Sequence, residues 1–254
     1  MCVKQTLLLA NLLGSQDVKQ AYRRSVFGPF WITAAMALQI GTITLVFGLI
    51  FRNPLNEYLP FVATSIILWS FMATSLNEGC LSFIVSDGII KQLSLNMAVY
   101  PLRTLWKNTL TFGHNIIILP IVFLFSGKEV TASVFLFIPG ILLLIANLFW
   151  IMILLAVVSA RFRDVPQVIS SLLMMLVYVT PVFWYPENLG NGSLSHLLLG
   201  LNPFYHILQV ARLPLLGEFP TFENWAITSS LAAFGLVVAL ALLRRVKGKV
   251  AYWL

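Results

Sequence analysis

Charge is scarce in this chain. Of its 254 residues only 10% are Asp, Glu, Lys or Arg, while 59% are hydrophobic and 13% aromatic. A soluble domain carries about 25% charged and about 45–50% apolar residues, so a water-soluble globular fold is excluded. The same figures exclude intrinsic disorder, because disordered chains are poor in apolar residues. Cysteine is nearly absent: Cys2 and Cys80 lie far apart and make neither a disulfide framework nor a metal site. The phosphate-cradling pattern G-x-x-x-x-G-K-[ST] is missing, so no ATP hydrolysis by that route is expected. H-E-x-x-H and G-x-S-x-G are missing too. His114, His196 and His206 are dispersed, and a packing or hydrogen-bonding use is commoner for such residues than metal ligation.

What the sequence has instead is six long apolar segments, at about 30–51, 59–85, 107–126, 131–159, 166–185 and 225–243. Each holds about 19 residues or more, enough to cross a hydrocarbon core of roughly 30 Å at 1.5 Å per residue. They do not alternate at period two as barrel strands do, and a segment in lipid must pair its own backbone groups, which leaves helices. The expected fold is an all-α membrane protein: one transmembrane domain over 1–254, with six transmembrane helices.

The net charge of +7 raises nucleic acid as a partner, but the basic residues sort by membrane side, so none is expected. Lys4, Lys19, Arg23 and Arg24 precede the first segment; Lys91, Arg103 and Lys107 follow the second; Arg161 and Arg163 follow the fourth; Arg244, Arg245, Lys247 and Lys249 follow the sixth. Only Arg52, Lys128 and Arg212 of the sixteen Lys and Arg fall on the other side, where Glu57, Glu129, Glu187, Glu218 and Glu223 also lie. Cytoplasmic loops carry the excess of Lys and Arg, which places both termini in the cytoplasm.

Residues 194–216 are apolar enough to be mistaken for a seventh span. They contain His196, Asn202, His206, Gln209, Arg212 and Pro214, which is costly for a lipid-facing helix, and a seventh span would put the C-terminal basic cluster outside. Asn202-Pro203 reads as a helix start, with Asn as N-cap and Pro at the first helical position. Residues 187–223 are therefore expected to form short re-entrant helices at the outer face. At the other end of the chain, Thr6 to Leu13 is a short apolar run with no A-x-A-like site behind it, so no cleavable signal peptide is expected. Residues 16–27 place Val18, Ala21, Tyr22, Ser25 and Val26 on one helical face and Asp17, Lys19, Gln20, Arg23 and Arg24 on the other. That pattern predicts an amphipathic helix lying in the interface, ended by Gly28-Pro29.

Four features carry candidate chemistry. Glu78 is an ionisable residue inside the second span, a functional position by default; pairing with a nearby Arg at the interface is the plainer use, and the two are compatible. The loop 86–106, with Asp87 and Lys91, is either a solvated loop or a small cytoplasmic helix on which a soluble partner docks. Arg161-Phe162-Arg163-Asp164 ahead of Pro166 is a topogenic turn or a second partner contact. Aromatic residues Trp31, Trp69, Tyr178, Phe183, Trp184 and Tyr185 are either interfacial belt and bundle core or flat surfaces along which a sugar polymer slides.

Tyr22-Arg23-Arg24-Ser25-Val26-Phe27-Gly28-Pro29-Phe30-Trp31, then Glu78-Gly79, Ile89-Ile90-Lys91, Arg161-Phe162-Arg163-Asp164, Thr180-Pro181-Val182, Asn202-Pro203 and Ala251-Tyr252-Trp253-Leu254 occur in this order. This arrangement resembles the permeases of type-2 ABC exporters, nearest to the class that exports O antigen, capsule and teichoic acid. Family members often carry a second Lys and a Phe-Pro pair after the coupling Lys, where this chain has Gln92-Leu93-Ser94-Leu95. The resemblance implies a homodimer of six-span subunits in a bacterial inner membrane, two copies of a separate ATPase subunit, and a channel for a lipid-linked polysaccharide. It implies ATPase coupling at Arg23, Arg24, Glu78, Asp87, Lys91, Arg161, Arg163 and Asp164. No cofactor is expected on this chain; ATP and Mg would belong to the partner subunit. Two alternatives stay open: a small-molecule efflux permease of the same family, and a membrane-embedded enzyme acting on lipid-linked sugars.

Overall fold

The computed structural model describes residues 3–23, 25, 27–28, 30–93, 95–186 and 198–254. The described residues contain helices and no strands. In chain order these are α1 (Val3–Ala21), α2 (Phe30–Phe51), α3 (Leu55–Val85), α4 (Asp87–Gln92), α5 (Val99–Asn115), α6 (Ile118–Ser126), α7 (Phe137–Arg161, entered through a 3-10 turn, Ala132–Leu136), α8 (Val165–Val179), α9 (Pro203–Leu215) and α10 (Phe222–Trp253). Among the described residues five stretches are long and apolar enough to cross a membrane: Phe30–Ile50, Leu55–Val85, Val99–Ser126, Ala132–Arg161 and Phe222–Val246.

α3 is the central helix. Every residue from Pro60 to Trp69 is buried, and a helix that is apolar and covered all round belongs in a core. α2, α5, α6, α7, α8 and α9 all pack against it. Small residues let the helices approach, as in other membrane bundles. A Cβ on Gly79 would meet the Met152 side chain, one on Gly140 the Val210 carbonyl, and one on Gly235 the Trp150 ring. Asn147 adds a polar link from α7 to α10 by donating to the Thr228 carbonyl at 3.1 Å.

Prolines set where the helices break. The third apolar segment is two helices, because Pro120 has no N–H for the Ile116 carbonyl and its ring crowds that oxygen. Leu119 N–H bonds Ile116 O instead, at 3.0 Å, tightening the turn between α5 and α6. The fifth segment, expected to run to 185, is helical only to Val179. Thr180 is extended, with φ −84° and ψ 132°, as a residue before proline tends to be. α8 has 15 residues and spans about 22 Å at 1.5 Å per residue.

The N-terminal helix differs from its sequence reading as well. It occupies Val3–Ala21 and not 16–27, and Arg24 and Val26 lie outside the described residues. Thr6, Ala10 and Gly14 are its buried positions, a stripe of small side chains four residues apart that faces one side. The stripe packs on α5: a Cβ on Gly14 would sit 2.7 Å from the Arg103 carbonyl oxygen.

Both ends of α9 are tied to the end of the bundle opposite α4. The Asn202 side chain bonds Thr180 at its start, and the Pro214 carbonyl accepts from Ser133 at its finish. Residues 187–197, the first part of the expected re-entrant segment, lie outside the described residues.

Candidate functional site

At the basic end, α4 is a six-residue helix that follows α3 after the single residue Ser86. Ile90 is 6% exposed and sits in an apolar cluster with Phe83, Tyr100, Val157, Ala160, Leu243 and Val250. This cluster draws on α3, α5, α7 and α10, and α4 itself packs on α3 and α10. Asp87 and Lys91 stay on the outside and pair with each other at 2.9 Å across one helical turn.

Two firmer ion pairs lie beside it. Arg103 on α5 donates to both Asp17 carboxylate oxygens on α1, each at 2.6 Å. The adjacent Trp106 indole donates to Ser15 at 3.0 Å. Glu78 on α3 accepts from Lys107 on α5 at 2.7 Å, so its partner is a lysine and not the arginine expected. Arg23, Arg161, Arg163 and Asp164 are exposed. Arg163 donates to the Leu254 carbonyl oxygen at 3.2 Å, and the Arg161 guanidinium stands 5.7 Å from the centre of the Phe162 ring. Burial pushes the Tyr22 phenol above its ordinary value, so it stays a neutral group beside Arg23. The structure thus joins Glu78 to Lys107 across the α3–α5 contact and Asp17 to Arg103 across the neighbouring α1–α5 contact. Asp87 and Lys91 pair on the surface of α4, which packs on α10, and Arg163 bonds Leu254 just beyond the end of α10. Sequence reasoning used Lys107 as a topogenic charge and Arg103 as a topogenic charge within the candidate docking loop, with neither ion pair foreseen, since pairs so distant in the chain leave no local pattern.

The aromatic candidates divide. Tyr178, Phe183, Trp184 and Tyr185 cluster after α8. Phe183 lies 6.2 Å from Tyr178 and stacks on Phe47 of α2, the Trp184 indole donates to the Tyr178 carbonyl, and Tyr185 lies 4.3 Å from Phe61. Trp31 belongs to the other end of α2, about 24 Å from Phe47 at 1.5 Å per residue, stacked on Phe27. Trp31 is 67% and Tyr178 66% exposed. Trp69 is 7% exposed and packs edge-on against Phe204, which places it inside the protomer.

The far end holds a polar network; the sequence predicted its Asn202 cap, while His206, Gln209 and Arg212 served there only as an argument against a seventh span. Asn202 caps α9, accepting from the Phe204 and Tyr205 N–H groups. His206 joins Asn224 at 2.8 Å and the Gly200 carbonyl at 3.0 Å. Arg212 is 1% exposed. It donates to the Pro181 carbonyl at 2.6 Å and to Ser65 at 3.0 Å, bonds the Gln209 side-chain oxygen through two nitrogens, and lies 4.6 Å from the centre of the Phe61 ring. A buried charge demands this degree of satisfaction. Next to it opens a cleft of about 470 Å³, lined by Asn56, Glu57, Phe61, Lys128, Tyr185, Gln209, Arg212 and Glu218 among others. Among the described residues no cluster of His, Cys, Asp and Glu is placed to hold a metal.

Residues 10–216 match the model of the family described as ABC-2 type transporter. Over 245 residues the chain is 26% identical to a Klebsiella pneumoniae protein named O-antigen export system permease protein RfbA, covering 96% of this chain and 93% of the relative. A Myxococcus xanthus protein of the same name is 22% identical over 201 residues, 79% of this chain and 77% of its own length. A second Klebsiella pneumoniae protein of that name is 28% identical over 178 residues, covering 69% and 68%.

Proposed function

Because the chain belongs to the ABC-2 type transporter family, we propose that it is the channel-forming permease subunit of an ATP-driven exporter that moves a lipid-linked, O-antigen-like polysaccharide across the inner membrane. The observation that carries this reading is the end-to-end likeness to the Klebsiella relative, over 96% of this chain and 93% of that protein. In this reading the chain crosses the membrane six times with both termini in the cytoplasm, and it acts as a homodimer.

ATP hydrolysis is assigned to two copies of a separate ATPase subunit, which would also hold ATP and Mg; the chain's lack of a phosphate-cradling loop supports that division. The basic end is the proposed docking face, with Asp87, Lys91, Arg161, Arg163, Asp164 and Arg23 at its surface and Glu78 in the seam beneath; Arg24, assigned to coupling by the resemblance, lies outside the described residues. Physically, α4 suits the transmission of force. It joins α3 through one residue, packs on α10, and shares through Ile90 an apolar cluster that extends to α5 and α7, so a displacement of α4 is passed to α3 and α10 directly.

Deletion of the gene tests the reading. Surface polysaccharide should be lost, and lipid-linked glycan should build up at the cytoplasmic membrane, as measured by gel and mass spectrometry of the extracted lipids. Surface polysaccharide at the wild-type level would overturn it.

A further inference from the structure

The cleft beside Arg212 has the composition of a carbohydrate site. Phe61 and Tyr185 form an aromatic wall, with ring centres 4.3 Å apart. Gln209 is 5% exposed, and its side-chain oxygen is committed to Arg212 through bonds of 3.2 and 2.9 Å. That leaves the Gln209 NH2 as a donor on a cleft-lining residue, with no hydrogen bond from it among the described residues. Glu57, Glu218 and Asn56 are exposed on the rim and supply acceptors. Among the described residues the charged lining side chains are two carboxylates, Glu57 and Glu218, and two cations, Lys128 and Arg212. A balanced lining offers no net attraction to a polyanion, whereas hydroxyl groups both donate to carboxylates and accept from amides. The volume, about 470 Å³, lies within the roughly 300–1,000 Å³ of small-molecule sites.

We propose that this cleft is a glycan-binding subsite that holds a short stretch of uncharged sugar at the end of the bundle opposite the ATPase. The inference rests on the reading that the cargo is a polysaccharide. A sugar ring lays its C–H face on Tyr185, its hydroxyls donate to Glu57 and Glu218, and they accept from Gln209. Arg212 is a positioning residue: held by Ser65 and the Pro181 carbonyl, it fixes both the Phe61 ring and the Gln209 amide. Gripping the chain here would oppose its backward slippage between strokes of the ATPase.

The test uses the permease–ATPase complex in lipid nanodiscs. The probe is glycan released by mild acid from the source strain's surface polysaccharide, in neutral fragments of about two to six sugars, a length suited to a site of this size. Binding is read by saturation-transfer NMR. Wild-type complex should bind; Glu218→Gln and Asn56→Ala, both on the exposed rim, should each weaken binding about tenfold, near 1.4 kcal/mol. Tyr185→Leu should weaken it at least as much, while Tyr185→Phe, which keeps the flat ring, should bind within about twofold of wild type. No binding by the wild-type complex, or equal binding by all the variants, overturns the subsite. These outcomes are distinct from failure of the permease reading, which shows as unchanged surface polysaccharide in the deletion strain.

Discussion

The Arg103–Asp17 pair is the strongest polar link at the basic end. Two parallel bonds of 2.6 Å join a planar guanidinium to a carboxylate, the geometry in which arginine binds best. The side chains are 22% and 24% exposed, so solvent screens the pair only in part. A charge-assisted bond of this kind is worth about 1–2 kcal/mol after that discount. Asp17→Ala should therefore speed amide hydrogen exchange in α1 by about tenfold while the buried amides of α3 hold their protection. Arg103→Ala should do the same, and the double variant should add little to either single one. Unchanged exchange in α1 would show that the small-residue stripe alone holds the helix. Neither partner was legible as such in the sequence. Asp17 read as part of a polar face and Arg103 as a topogenic charge, and their union is a product of tertiary packing. The Asn202-Pro203 cap was legible, because the groups it satisfies lie within three residues of it.

At the scale of elements, α4 is set apart by how little holds it and how much it touches. Six residues are too few for a stable isolated helix, so its position depends on Ile90 in the apolar cluster and on continuity with α3. Lys91 and Asp87 face outward, and Arg23 is exposed at the end of α1. Charge reversal by Lys91→Glu together with Arg23→Glu should weaken co-purification of the ATPase and lower polysaccharide export, each about tenfold or more, consistent with the cost of like charges across a contact. Cysteines placed in α4 and on the facing ATPase surface should crosslink. Wild-type association and export in the double variant would remove α4 and α1 from the docking face. The long helices were legible because their apolar runs are unbroken: α2 spans Phe30–Phe51 against an expected 30–51. Helix ends were legible only where a proline was given its due. Pro181 stops α8 and Pro120 divides the third segment, yet hydropathy runs through both without a dip. α1 begins well before residue 16 because the apolar run Thr6 to Leu13, weighed in the sequence only as a signal peptide, is itself helical and packs Thr6, Ala10 and Gly14 on α5.

For the whole molecule, the decisive feature is apolar surface that one protomer leaves uncovered. α2 exposes Leu38, Leu45, Leu49 and Ile50, and α8 exposes Leu172, Met174, Met175 and Tyr178. Lipid can cover such faces, but a hydrated polymer needs a wall around it, and a single chain, with α3 packed among its neighbours over most of its length, shows none among the described residues. Two copies related by a two-fold axis, the commonest closed symmetry, would enclose a path with α2 and α8 turned inward. The aromatic residues then have different fates that a single substitution separates. Trp31 and Tyr178 are largely exposed and available to a conduit, whereas Trp69 is buried against Phe204. Changing Trp31 or Tyr178 to Leu keeps an apolar side chain and removes a flat ring, so a lipid-facing belt residue tolerates it and a sugar-stacking residue does not. Trp31→Leu and Tyr178→Leu should each lower export about threefold or more, about the stacking energy of one aromatic contact, with permease level and ATPase assembly unchanged. Trp69→Leu should act differently, opening a cavity beside Phe204 and lowering the amount of folded permease, with export per folded molecule preserved. Export is measured as labelled polysaccharide reaching the surface per molecule of permease in the membrane. Normal export from both Trp31→Leu and Tyr178→Leu would leave these rings as an interfacial belt and move the conduit to another face of the dimer.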